Sequence, residues 1–159
     1  MEPCDLIKPE RIACDALVPS KKRVLEQLSR LLASSTPNLT EEEIFASLTD
    51  RERLGSTALG HGVALPHGRL HGREQAVGAF IKLKQGIDYD TGDHEPVDLL
   101  YALLVPDHFT DEHLKIISRL AELFDDSQFR FRLRQCTNAT EIYHVFADSA
   151  SLPQNPVHS

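Results

Sequence analysis

The sequence has no tryptophan, one methionine and only 6% aromatic residues, and its three cysteines form no CxxC pair. An odd, scattered set of cysteines is typical of a reducing compartment, so we expect a cytoplasmic protein without a disulfide framework. The N-terminus lacks a basic start followed by an apolar stretch, which argues against a secretory leader. The longest apolar run, residues 99–105, has seven residues, whereas a membrane-spanning helix needs about 20. We therefore expect no membrane insertion.

The chain also lacks an excess of basic residues. Its 17 Lys and Arg stand against 24 Asp and Glu, a formal net charge of −7 at pH 7. Proteins that bind a phosphate backbone normally present a basic face, so we expect no nucleic-acid partner. No Walker motif or dinucleotide fingerprint occurs, which argues against ATP as a substrate and against a nucleotide cofactor. The length of 159 residues is enough for a core that needs neither disulfides nor a metal.

The spacing of the apolar residues predicts five helices. They cover about residues 20–34, 40–53, 110–124, 127–134 and 138–150. Four of them begin at good N-terminal caps, which are Ser20, Thr40, Thr110 and Asn138. Thr40 and Glu43 also have the spacing of a capping box.

The sequence also predicts strands. Alternation from Val77 predicts a strand to about residue 83, and the apolar residues 97–105 predict a central strand that is buried on both faces. A short strand at residues 63–65 and edge strands at residues 6–7 and 16–18 complete the set. This order predicts one α/β domain over residues 1–150, with helices covering a mixed sheet of about four to five strands. Residues 151–159 are predicted to form a flexible tail.

His67 is the main candidate for chemistry. It stands in residues 62–69, GVALPHGR, after the short predicted strand and before a predicted glycine turn. The strand end would fix the ring, and Gly68 would leave it accessible. A neutral imidazole nitrogen is a nucleophile near pH 7 and can take a phosphoryl group. On this local pattern alone, a structural or surface histidine is the more common interpretation.

Two further side chains suit an anion site near His67. Arg51 lies at the end of the second predicted helix, and a guanidinium makes bidentate contacts with phosphate. Arg53 is better explained as a solvated arginine at the negative end of that helix. His113 falls in the first turn of the third predicted helix, where free N–H groups attract anions. Considered alone, a histidine there is more often merely exposed.

Metal binding and serine chemistry are weaker interpretations. His67 and His71 are four residues apart, but Gly68 and Gly72 disfavour the helix that this spacing would need. No glutamate follows His67 as it does in zinc proteases. Ser56 lacks the glycine two residues later that a nucleophile elbow requires. We therefore expect neither a metal site nor a serine nucleophile.

Five motifs occur in a characteristic order. They are SKKR at residues 20–23, RERLGST at 51–57, GVALPHG at 62–68, PVDLL at 96–100 with LVP at 104–106, and His113-Leu114. Together they resemble the enzyme IIA family of the phosphoenolpyruvate-dependent phosphotransferase system, fructose/mannitol type, and most closely its nitrogen-regulatory branch. The similarity covers about residues 5–148.

The resemblance implies a three-layer domain with a mixed sheet. It implies that His67 is the phosphoryl acceptor, that His113 is the neighbouring active-site histidine and that Arg51 stabilises the phosphate. It thereby favours the chemical interpretation of His67. Arg69 stands where members of the family vary, so no catalytic part is assigned to it. The implied donor is a phosphohistidine on a small carrier protein, so no nucleotide, metal or other cofactor is required.

Three functions remain open. In the favoured one, phosphorylation at His67 adds roughly −1.5 to −2 charges and selects partner proteins such as kinases or transporters. The alternative is a soluble IIA component of a fructose/mannitol-type sugar permease, which passes phosphate to its IIB partner. The absence of an attached permease or carrier domain and the 51–57 motif favour regulation. A third hypothesis, a binding module whose His67 no longer turns over, is opposed by the intact motif.

Overall fold

A computed structural model describes residues 2–70, 75–93, 95–108 and 111–150. In this part of the chain, a mixed sheet lies between α1 and α2 on one face and α3, α4 and α5 on the other. The helices are α1 (Lys21–Ala33), α2 (Glu41–Arg53), α3 (Asp111–Asp125), α4 (Ser127–Gln135) and α5 (Ala139–Ser149). The strands are β1 (Ile12–Ala16), β2 (Ala58–Gly60), β3 (Val63–Ala64), β4 (His67–Leu70), β5 (Val77–Ile87) and β6 (Val97–Pro106). The three-layer α/β prediction is therefore confirmed.

Within the described residues the sheet has six strands, in the order β1-β5-β6-β3-β2, and β4 also pairs with β6. The β5–β6 and β2–β3 pairs are antiparallel, whereas β1 runs parallel to β5, and β3 and β4 run parallel to β6. The sequence predicts only one strand in this region, at residues 63–65, and this prediction is wrong because β2 and β4 flank β3. Strands of three, two and four residues are too short to leave a periodic signal.

The N-terminal edge of the sheet also differs from the prediction. The edge strand is β1, so the strand predicted at residues 16–18 overlaps it only at Ala16. Leu6 and Ile7 are buried but lie outside any strand. The carbonyl of Leu6 accepts a hydrogen bond of 2.8 Å from the Gly78 amide of β5. Burial of these two residues, rather than strand pairing, explains their apolar character.

β6 is the central strand that the sequence predicts. From Leu99 to Val105, the odd-numbered residues of β6 face α3, α4 and α5, and the even-numbered residues face α1 and α2. The first set is Leu99, Tyr101, Leu103 and Val105, and the second is Leu100, Ala102 and Leu104. Both faces are buried, which explains why the strand shows no alternation of apolar and polar residues.

The predicted helix caps hold wherever the structure describes them. Ser20 accepts from the Arg23 amide, Thr40 and Glu43 form the capping box, and Asn138 accepts from the Glu141 amide. The predicted cap Thr110 and the predicted tail 151–159 lie outside the described residues. Among the helices described, none has the length and apolar character needed to cross a membrane.

Candidate active site

His67 opens β4 at the edge of the central strand. β3 and β4 pair with the same edge of β6, and Leu65 and Pro66 separate them, so His67 lies beside Leu103. The His67 Nδ1 is 2.8 Å from the carbonyl oxygen of Leu65. Because a carbonyl only accepts, Nδ1 carries the proton and Nε2 keeps the lone pair. The backbone thus leaves the lone pair of Nε2 free for other contacts.

Gly68 does not form the turn that the sequence predicts. It lies inside β4 rather than in a turn, and a Cβ atom at this position would collide with the side chain of Ser47 on α2. The Ser47 hydroxyl donates to the Arg69 carbonyl at 3.3 Å. Glycine therefore allows α2 to pack directly on β4, which brings the C-terminal turn of α2 towards His67.

Arg51 lies one helical turn beyond Ser47 and reaches the imidazole. Its Nε donates to His67 Nε2 at 3.2 Å, and its Nη1 donates to the Gly55 carbonyl at 3.0 Å. The guanidinium is thus held at the ring nitrogen that keeps the lone pair. Arg53 is exposed and pairs with Asp50 at 2.8 Å, in agreement with its solvated interpretation.

His113 completes the cluster from the other side of the sheet. Its ring centroid is 5.5 Å from that of His67, and the planes are tilted by 59°. His113 is 5% exposed, so it is not the exposed histidine that its position considered alone would favour. Its Nδ1 is buried without a hydrogen-bond partner in the described structure. The structure therefore brings His67, His113 and Arg51 together, although they come from three separate elements.

The pKa values of both histidines are lowered, which favours the neutral rings at pH 7. Burial lowers the pKa of His67, Arg51 and Arg69 lower it further, and the Leu65 carbonyl and Glu52 oppose the shift. Burial, followed by His67 and Arg69, lowers the pKa of His113 to about 4. The site consequently offers an imidazole with a free lone pair, a second neutral ring that can donate a hydrogen bond, and guanidinium groups. This combination suits a group that accepts a phosphoryl anion.

Four side chains behind the site were assigned no individual role from the sequence, although three of them lie in the motifs at residues 20–23 and 51–57. Glu52 is 9% exposed and binds Lys21 Nζ at 3.0 Å. It also accepts from the amide and the hydroxyl of Thr57, whose Oγ1 lies 3.4 Å from the hydroxyl of Tyr89. The sequence signal that could have identified Glu52 was its position in the last turn of a predicted helix, where the helix dipole disfavours negative charge.

The alternative chemistries gain no support from the geometry. The Ser56 hydroxyl accepts a 3.2 Å hydrogen bond from the Ala58 amide, a local turn contact. Across residues 2–70, 75–93, 95–108 and 111–150, no three His, Cys, Asp or Glu side chains are arranged to hold a metal ion. His71, the predicted partner of His67 in that alternative, lies outside the described residues.

Known proteins are similar to this chain in both sequence and fold. The family model for the phosphoenolpyruvate-dependent sugar phosphotransferase system, EIIA 2, matches residues 5–149. A nitrogen regulatory protein of Pseudomonas aeruginosa is 40% identical over 143 residues, which cover 90% of this chain and 93% of the relative. One from Escherichia coli K12 is 40% identical over 135 residues, 84% of this chain and 82% of the relative.

A solved structure gives the same result. The crystal structure of the nitrogen regulatory protein IIA-Ntr from Neisseria meningitidis superimposes with a TM-score of 0.84 at 40% identity, covering 90% of this chain and 97% of that chain. The chain therefore belongs to the EIIA 2 family of the phosphoenolpyruvate-dependent sugar phosphotransferase system, and within that family it lies with the nitrogen regulatory proteins.

Proposed function

We propose that this protein is a regulatory phosphocarrier that accepts a phosphoryl group on His67 from a phosphohistidine carrier protein. Members of the family act as phosphotransfer proteins. The observation that carries the proposal for this chain is the state of the His67 ring. The Leu65 carbonyl holds the proton on Nδ1, and Arg51 contacts the opposite nitrogen, which has the lone pair.

Transfer breaks one P–N bond and makes another. His67 Nε2 attacks the phosphorus, and the electron pair of the breaking bond returns to the ring nitrogen of the carrier. His67 keeps its Nδ1 proton, and the Leu65 carbonyl stabilises the positive charge that grows on the ring. Arg51 moves its hydrogen bond from Nε2 to a phosphoryl oxygen, and neutral His113 donates to another. The reaction therefore requires no net movement of a proton at His67.

The surface around the cluster suits a protein donor. Leu54, Leu59 and Leu114 are 84%, 42% and 60% exposed. Leu54 follows Arg51 by one turn, Leu114 is next to His113, and Leu59 lines a cavity with Ser118 and Ala121 of α3. Leu54 and Leu114 therefore give the surface beside the reactive groups an apolar character. We infer that the carrier binds against these two leucines.

Regulation follows from the change of charge. A phosphoryl group on His67 adds roughly −1.5 to −2 charges to the surface that partners contact. Proteins that bind the unmodified surface through electrostatic complementarity are then released, and others are recruited. The naming of the relatives with about 40% identity as nitrogen regulatory proteins supports this use over sugar transport.

The test is direct labelling. The purified protein is incubated separately with the phosphorylated nitrogen-type carrier and with the phosphorylated sugar-type carrier, and acid-labile phosphate is measured over time. We expect faster labelling by the nitrogen-type carrier, mapped to His67, and none in His67→Ala. Acid-labile phosphate on His67→Ala would refute the site. Faster labelling by the sugar-type carrier, with onward transfer to a IIB protein, would favour the permease alternative.

A further inference from the structure

Glu52 is placed where a carboxylate is costly. It is buried in the C-terminal turn of α2, where the unpaired carbonyls of the helix repel negative charge. Three donors compensate it: Lys21 Nζ at 3.0 Å, the Thr57 amide at 3.2 Å and the Thr57 hydroxyl. Lys21 itself lies 4.4 Å from the centroid of the Tyr89 ring. A buried charge with this many partners holds its neighbours in one arrangement.

The hydrogen bonds of Glu52 continue to the imidazole. Thr57, which Glu52 binds twice, accepts with its own carbonyl from the Leu65 amide at 3.0 Å. The Leu65 carbonyl accepts from His67 Nδ1 at 2.8 Å. One chain of hydrogen bonds therefore joins the Glu52 carboxylate to the ring nitrogen whose proton decides where the lone pair lies.

A second branch reaches the guanidinium. Arg51 precedes Glu52 on α2, and its Nη1 donates to the carbonyl of Gly55. Gly55 lies in the loop that the Glu52–Thr57 bonds close, and its φ of 149° is in the region that favours glycine. Closing this loop fixes the Gly55 carbonyl, which in turn holds Arg51 against His67 Nε2.

We propose that Glu52, together with Thr57 and Lys21, is the positioning unit of the site, setting the tautomer of His67 and the orientation of Arg51. The inference rests on the proposed phosphoryl transfer to His67. None of the three residues needs to touch the phosphoryl group. Each acts through the 54–57 loop, so its removal misplaces the nucleophile and the guanidinium together.

The experiment compares Glu52→Gln with a matched carboxylate elsewhere. Asp98 also forms an ion pair, with Arg134 at 2.8 Å, and this pair holds the His61 carbonyl of the β2–β3 turn. Its hydrogen bonds do not pass through Thr57 or Leu65. Asp98→Asn is therefore the control for loss of an ion pair that anchors a loop, outside the proposed unit.

Two readouts are needed: the single-turnover rate of transfer from the phosphorylated carrier, and the ¹⁵N shifts of the His67 ring, which report its tautomer. For Glu52→Gln we expect transfer to slow by about 10- to 100-fold and the ring to become a mixture of tautomers. For Asp98→Asn we expect a wild-type rate and tautomer, even with a lower melting temperature. Thr57→Val should resemble Glu52→Gln, and Thr57→Ser should restore the wild-type values.

A wild-type rate and a pure Nδ1–H tautomer in Glu52→Gln would overturn the inference, as would equal losses in Asp98→Asn. If Glu52→Gln does not fold, Thr57→Val decides by the same two readouts. The tautomer is measured without any phosphoryl donor, so it tests the positioning unit even if labelling never occurs at His67. Failure of wild-type labelling would refute the proposed function and leave the tautomer result standing.

Discussion

Replacing His113 tests whether this residue assists transfer as a neutral hydrogen-bond donor or as a cation. With a pKa of about 4, His113 is uncharged near pH 7, so it can assist transfer only through a ring N–H. Loss of one such donor from a preorganised site costs about 2.7–4 kcal/mol of transition-state stabilisation. At about 1.4 kcal/mol for each tenfold change in rate, His113→Ala should react on the order of 100-fold or more slowly. Labelling should still reach His67 at long times.

The assay is rapid-quench transfer from the phosphorylated carrier, with the modified residue mapped afterwards. His113→Gln keeps a neutral N–H group, so it should recover part of the rate that His113→Ala loses. His144→Ala, at an exposed position on α5, serves as the control and should be unchanged. The reasoning is refuted if His113→Ala transfers at the normal rate, if Gln is no better than Ala, or if phosphate maps to position 113 in the wild-type protein.

Arg51→Ala should slow transfer by a similar factor without preventing labelling of His67; a normal rate in the same quench assay would remove Arg51 from the site. Gly68→Ala should push Ser47 and α2 away from β4, lowering the melting temperature and slowing transfer, which calorimetry and the transfer rate can check. Stability should fall as the pH drops from about 6.5 to 4, because the unfolded chain binds more protons there, by up to about 3 kcal/mol for His113. Urea titrations at a series of pH values measure this dependence, and the stability of His113→Gln should lack the part that comes from His113. An unchanged dependence of stability on pH would contradict the low pKa. Leu114→Glu should raise the KM for the carrier more than it lowers kcat, and an unchanged KM would contradict docking at that leucine.

Local sequence determined the helices and the central strand. Ser20, Thr40 and Asn138 satisfy amide groups within three residues of themselves, so their caps can be recognised without any knowledge of the fold. The apolar run that becomes β6 is equally self-evident, since only a strand covered on both faces tolerates it. The ordered motifs around His67 also identified the family before any geometry was known.

Tertiary contacts decided what these side chains face. The alternation in β5 places Lys82 on the strand's polar face, yet the residue is buried. Its ammonium group forms an ion pair with Asp15 of β1 at 3.1 Å, which compensates the buried charge. The short strands β2, β3 and β4 exist only because β6 offers an edge to β3 and β4, and β3 in turn pairs with β2.

The state of the site was decided in the same way. Gly68 looked like a turn residue, but its lack of a side chain serves the contact between α2 and β4. The neutral state of His113 comes from burial beside His67, and the role proposed for Glu52 depends on Thr57 and Lys21 meeting it. Burial and charge at a residue are set by neighbours that are distant in sequence, so no local pattern can specify them.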